Sequence, residues 1–181
     1  LYGMHLARRE IMNTRRAIVA AGYTDVITLH QYGFTNAVGT LGTALTDDHA
    51  RLLSRVCDEV ILLFDGDEAG RRAAGRAIPI IARHKIDLRI RLLDQGQDPD
   101  DLLRSDGGPE RFAAAMSTAR EAFDYLLMRL EDDLSEATGV SGRQRRIETF
   151  IAGLVNSGLD RADTLRRAML TTRLGEIAGV A

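Results

Sequence analysis

Aspartates are the residues of this chain whose spacing could do chemistry. The apolar run Leu62-Leu63-Phe64 ends on Asp65-Gly66-Asp67, two carboxylates two positions apart. Such a pair can point into one site, and Gly66 lets the chain turn and a ligand approach the backbone. Hard cations such as Mg²⁺ take oxygen ligands, usually one or two carboxylates completed by phosphate and water. The pair therefore reads as a divalent-metal site for phosphate chemistry. A second cluster, Asp98-Pro99-Asp100-Asp101, follows a later apolar run, and Asp25 follows the first one. Each also has a purely structural reading. Asp67 and Glu68 suit the first turn of a helix, whose dipole favours acids, and the same holds for Asp25. Asp98 suits an N-cap and Pro99 the first helical position. Asp65 is poorly explained in this way. Arg71 and Arg72, beside the pair, could hold phosphates or form a solvated face. His49 and His84 have no partner at metal-ligand spacing and read as surface or core residues.

The elements that must position these acids follow from periodicity. Residues 3–16 read as a helix that is basic towards its end. Ala17–Ala21 reads as a short buried strand closed by Gly22, and Thr24–Tyr32 has helical spacing. Asn36–Gly39 reads as a second strand, and Thr46 as the N-cap of a helix with acids in its first turn. Glu59–Phe64 is apolar almost throughout, as in a strand buried on both faces. Residues 66–82 read as helical and Asp87–Leu93 as a fourth, alternating strand. Strands alternating with helices over short connections define an α/β fold with a mainly parallel sheet flanked by helices. In open sheets of this kind ligands gather at the carboxyl ends of the strands, which puts Asp25, the Asp65 pair and the Asp98 cluster on one edge. Carboxylates so crowded repel one another unless cations neutralise them. From Pro109 onward only helical periodicity is read, over 109–136, 141–156 and 160–178, with no strand between. The expected organisation is a lead-in helix over 1–16, an α/β domain over 17–108 and an all-helical subdomain over 109–181.

Composition narrows the class. The chain has 181 residues, 45% hydrophobic and 28% charged, with a single cysteine and no tryptophan. That is enough apolar material for an aliphatic core, and too little charge bias for disorder. The lone Cys57 excludes an internal disulfide and a cysteine-based zinc site. No stretch has the length and apolarity of a membrane span, and no signal peptide is visible, so the expected compartment is the cytoplasm. The net charge of −2 demands no nucleic acid. Lys85 is the only lysine, every other basic side chain being arginine. Codon bias and phosphate binding both account for that preference. The first residue is not methionine, which reads as a piece of a longer protein.

Taken in order, these segments resemble the TOPRIM fold, and more narrowly the DnaG-type bacterial primases, over nearly the whole chain. Leu1–Glu10 is similar to the basic helix that leads into that domain. Gly22-Tyr23-Thr24-Asp25-Val26 resembles the first motif, and Ala37–Thr43 the following strand and glycine loop, including Gly42. Phe64–Arg71 resembles the second, acidic motif and Asp98–Leu102 the third. The resemblance implies that Asp25, Asp65, Asp67, Asp98 and Asp100 ligate or orient Mg²⁺ or Mn²⁺ for nucleotidyl transfer. Arg8, Arg9, Arg71 and Gly42 would bind nucleotide or nucleic acid. The implied partners are ribonucleoside triphosphates, a single-stranded DNA template, the RNA–DNA hybrid, and a replicative helicase held through a domain that this chain lacks. The zinc-binding domain and the basic subdomain of the family are also missing. One position departs from the pattern: Ala21 stands where the family has a glutamate. Alanine has neither an oxygen for a metal nor a proton to exchange, so the resemblance implies a site weakened or inactivated, by engineering or by nature, in preference to one that works without that acid. Two other readings stay open: a non-catalytic fragment that binds metal or nucleotide, and a TOPRIM nuclease-like enzyme. A topoisomerase is disfavoured, because none of the tyrosines has the context of a nucleophile.

Overall fold

The computed structural model describes residues 1–42, 44–81, 83–84, 86–94, 96–156 and 164–179. The backbone gathers into two compact units, Leu1–Ala122 and Phe123–Ala181. In the first, helix α1 (Met4–Thr14) leads into β1 (Arg16–Ala20). There follow α2 (Tyr23–Gln31), β2 (Ala37–Gly39), α3 (Asp47–Leu53), β3 (Glu59–Phe64), α4 (Glu68–Ile81), β4 (Asp87–Leu92), α5 (Pro99–Arg104), α6 (Gly108–Ser117) and β5 (Arg120–Glu121). The sheet order is β2-β1-β3-β4-β5. The first four strands run parallel and β5 pairs antiparallel with β4, so the expected mainly parallel sheet flanked by helices is what forms.

The strand registers set out the two edges. Ala20 lies opposite Gly39, and Phe64 opposite Leu92, so β1 to β4 finish together. Their residues alternate little because both faces are covered: Val60, Ile61, Leu62 and Leu63 are all buried. One face packs Ile18, Ile61 and Leu63 with Leu29 of α2 and with Leu102, Leu103 and Phe112 of α5 and α6. Phe34 meets Phe112 edge-on, with ring centroids 4.6 Å apart. The edge where the strands begin is stitched by opposite charges. Arg15 bonds Asp58 at 2.6 Å, while Arg16 and Arg89 both reach Glu59, Arg89 at 3.0 Å.

The expected helix over 109–136 is interrupted. It divides into α6 and α7 (Ala122–Ser135), with β5 between them. Helical periodicity does not register this break because Arg120 and Glu121 are exposed and form only an edge pair. Their structure comes from the ladder Ile90–Arg120 and Arg89–Glu121, which the chain makes only once β4 is in place. The second unit is helical: α7, α8 (Gly139–Asn156) and α9 (Thr164–Ala178). Leu127, Leu130 and Leu134 of α7 are buried, and Asp124 accepts from Arg173 at 2.6 Å. No helix among the described residues is long and apolar enough to cross a membrane.

Candidate functional site

The strand order places the switch point of the sheet between β1 and β3. The chain leaves β1 towards β2 on one side and returns to β3 on the other. A crevice opens at such a point beyond the carboxyl ends of the strands. Asp25 follows β1 and Asp65 follows β3, so both stand at the carboxyl edge of the sheet. Burial raises the Asp25 carboxyl above the usual carboxylate range, and the charges of Asp98, Asp65 and Asp100 push it further, against a stabilising bond from the Gly22 N–H. Burial also raises Asp65, with the charges of Asp67 and Asp98 adding to it. Five acids from three separate segments, Asp25, Asp65 with Asp67, and Asp98 with Asp100, thus share one electrostatic neighbourhood.

The structural readings hold as well. The Gly22 N–H donates to Asp25 Oδ2 at 3.0 Å, which closes the first turn of α2. The Gly70 N–H donates to Asp67 Oδ1 at 2.7 Å, and the Asp101 N–H to Asp98 Oδ1 at 2.7 Å. Asp67 and Asp98 cap α4 and α5, and Asp25 closes the first turn of α2 from its third position; among the described residues none of the three accepts a hydrogen bond through its second oxygen. Asp65 is different. Its side chain accepts no hydrogen bond among the described residues, although burial and like charges oppose its ionisation. It is the carboxylate with most to gain from a cation. Asp100 is the most engaged: Arg104 donates to both of its oxygens, at 2.9 and 3.0 Å, and the hydroxyl of Thr28 donates to Oδ1. These bonds hold its carboxyl below the usual range. Thr28 is 1% exposed, a buried polar residue on α2 whose role the sequence did not signal. Its spacing of three from Asp25 is the one trace it left.

Among the described residues, no three His, Cys, Asp or Glu side chains close into a ready-made metal cage. The donor set suits a hard cation that keeps water and phosphate among its ligands, and the uncompensated Asp65 gives it an anchor. Arg71 donates to the Gly66 carbonyl at 2.9 Å and to Glu68 at 3.1 Å, bracing the turn between the two aspartates. Gly42 has φ +69°, and its N–H donates to the Ala21 carbonyl at 3.1 Å. Ala21 and Gly42 share with Leu62, Phe64, Asp65 and Arg76 the lining of a cavity of about 260 Å³. Ala21 itself is exposed at the end of β1. Arg8 and Arg9 are exposed on α1 and make no ion pair among the described residues. His49 accepts at Nδ1 from the Thr46 N–H at 3.3 Å, and His84 bonds Asp47 at 2.9 Å, so both serve helix α3.

Fold and site together define a Toprim-like protein, and residues 18–103 match the family described as Toprim-like. Along its whole length the chain is homologous to the catalytic core of the DnaG-type DNA primases. It is 36% identical to the DNA primase of Pseudomonas putida over 99% of this chain and 27% of that protein. A DNA primase domain from Pseudomonas aeruginosa superposes with a TM-score of 0.83 at 32% identity, over 100% of this chain and 56% of that one. A DnaG primase catalytic domain solved bound to ssDNA gives 0.83 at 36% identity, over 99% and 56%. The chain spans little more than a quarter of the curated relative.

Proposed function

We propose that this chain is the metal-binding part of a primase polymerase core, performing metal-dependent nucleotidyl transfer from ribonucleoside triphosphates to make RNA primers on single-stranded DNA. The observation that supports this reading is the like-charge coupling among Asp25, Asp65 and Asp98 at the carboxyl edge of the sheet, where burial and like charge raise Asp25 and Asp65. Asp65 and Asp67, with Asp98 and Asp100, would hold Mg²⁺ or Mn²⁺. When bound, such a cation neutralises phosphate charge and polarises the phosphoryl oxygen under attack. The protein's own part is positioning. Asp67 and Asp98 are fixed by the helices they cap, and Thr28 and Arg104 fix Asp100. Arg71 holds the Asp65–Asp67 turn. Titration with Mn²⁺ should raise the melting temperature, and the double change Asp65→Ala and Asp67→Ala should abolish the rise. A parent chain that shows no rise sinks the metal-site reading.

Ala21 favours a second reading, of a site that binds metal and nucleotide but transfers poorly. The methyl group offers no oxygen at the mouth of the cavity and can neither take up nor release a proton. Ala21→Glu places a carboxylate there, facing the side of the site that Asp65 lines. It is expected to tighten Mn²⁺ binding roughly tenfold, about 1.4 kcal/mol, read by isothermal titration. In a complete enzyme it is also expected to restore primer synthesis. An unchanged affinity and an unchanged rate would show that position 21 does not belong to the site.

A further inference from the structure

The cavity beside Asp65 is walled mainly by hydrocarbon. Val19 and Leu62 lie opposite each other in the β1–β3 register, and both are buried. Side chains alternate along a strand, so Ala21 continues the face of Val19 and Phe64 the face of Leu62. This face is turned away from Ile18, Ile61 and Leu63, which pack against α2, α5 and α6. Helix α4 covers it, with Ala69, Ala73 and Ala77 in one row along the cavity wall. Methyl groups stand where longer side chains would meet, and about 260 Å³ is left between helix and sheet. At the carboxyl edge the same cavity reaches Asp65, which has no hydrogen-bond partner among the described residues, and Asp67. Ala21 brings only a methyl group to that edge. No three His, Cys, Asp or Glu side chains of the described residues close into a metal cage, so a hard cation held there is short of oxygen ligands. Arg76 lines the cavity as well, about two turns further along α4 than Ala69. It is exposed and makes no ion pair among the described residues.

We infer that this cavity is a binding site for a short-chain alkyl monocarboxylate, with its hydrocarbon tail between Val19, Leu62 and Ala73 and its carboxylate beside Ala21, where it supplies oxygen to a cation on Asp65. That last contact rests on the reading of Asp65 and Asp67 as cation ligands; the apolar slot does not. The tail leaves water for apolar walls, and each methylene so buried strengthens binding roughly fourfold. The head group brings an acid to a position where the chain has none. Without a cation the aspartates repel it. Anion and cation therefore raise each other's affinity, by the same factor in both directions. Arg76 is the competing seat for an anion, and that seat needs no cation.

The test measures Mn²⁺ binding to the 181-residue chain from the loss of the electron paramagnetic resonance signal of free Mn²⁺. Acetate, propionate and butyrate are compared with chloride at equal ionic strength, after correction for the weak complexes that each forms with Mn²⁺ in free solution. Saturating butyrate is expected to tighten Mn²⁺ binding about fivefold or more. The concentration giving half of the effect should fall roughly fourfold with each added methylene. Ala73→Leu fills the slot with hydrocarbon; it should abolish the dependence on chain length and keep the Mn²⁺-induced melting shift in chloride. Ala21→Glu supplies the carboxylate covalently, so butyrate should then add nothing. Equal Mn²⁺ affinity in butyrate and chloride overturns the proposal. So does an equal effect of all three carboxylates on the parent chain, which would need the head group alone. So does butyrate binding in EDTA that Arg76→Ala removes, which would seat the anion on α4. A Mn²⁺-induced melting shift in chloride without any carboxylate effect leaves the metal site standing, whereas loss of both takes the metal site with it.

Discussion

Asp65 sits under two opposing demands. Its position at the end of a buried strand removes water from it, and Asp67 and Asp98 add like charge. Asp25 is placed in the same way. Both therefore bind a proton more tightly in the folded chain than in the unfolded one. Raising the pH from the ordinary aspartate range up to their folded values costs stability, because the folded state must then give up protons it holds more tightly. Asp65→Asn removes one of these groups. In EDTA at neutral pH it is expected to raise the melting temperature by about 2–4 °C, a gain that vanishes at a pH where both states keep the aspartate protonated. The same variant should lose the response to Mn²⁺. A fall in the metal-free melting temperature would mean that Asp65 is held by a favourable contact and carries no penalty. Asp100 behaves in the opposite sense: Thr28 and Arg104 stabilise its charge, and that contribution is lost on acidification.

Among the elements, α4 has the tightest tolerance. It begins directly after the Asp65 turn, and Gly70 brings its first turn against the backbone of Asp65. A Cβ on Gly70 would lie 2.0 Å from the Asp65 carbonyl oxygen, which no rotamer change relieves. Gly70→Ala is expected to cost about 2–3 kcal/mol in urea denaturation and to weaken the Mn²⁺ response, since α4 must move and Asp67 caps it. A variant as stable as the parent would show that the two backbones are not in contact. Helices α2 and α5 are tied to each other by the Thr28–Asp100 bond as well as by the apolar packing that Leu29 shares with Leu102 and Leu103.

Across the α/β unit, charge is divided between the two ends of the sheet. Where the strands begin, arginines and acids pair off. Where they finish, Asp25 and Asp65 face the like charge of neighbouring aspartates. The net charge of −2 conceals this division. A chain of that charge has little long-range attraction for nucleic acid.

Much was legible in the residues alone. The parallel strands announced themselves by apolar runs too continuous for a half-exposed sheet, and Thr46 and Asp98 by the chemistry of helix caps. The acids could be assigned to one edge because parallel strands must finish on the same side. The resemblance to the DnaG-type primases was also carried by short contiguous motifs, which is the form in which a sequence stores local geometry. Tertiary structure decided what depends on residues far apart in the chain. It separated Asp65, left without a hydrogen-bond partner among the described residues, from Asp67, Asp98 and Asp100, whose carboxylates are already engaged. It brought Thr28 to Asp100 across 72 positions. It made Arg120 and Glu121 a strand, against a helical pattern, because β4 offered them an edge. It set Tyr2 against Tyr23 through the pairing with Gly39. In each case the deciding interaction is long-range, and neither periodicity nor residue type along the chain encodes a contact that only the folded sheet creates.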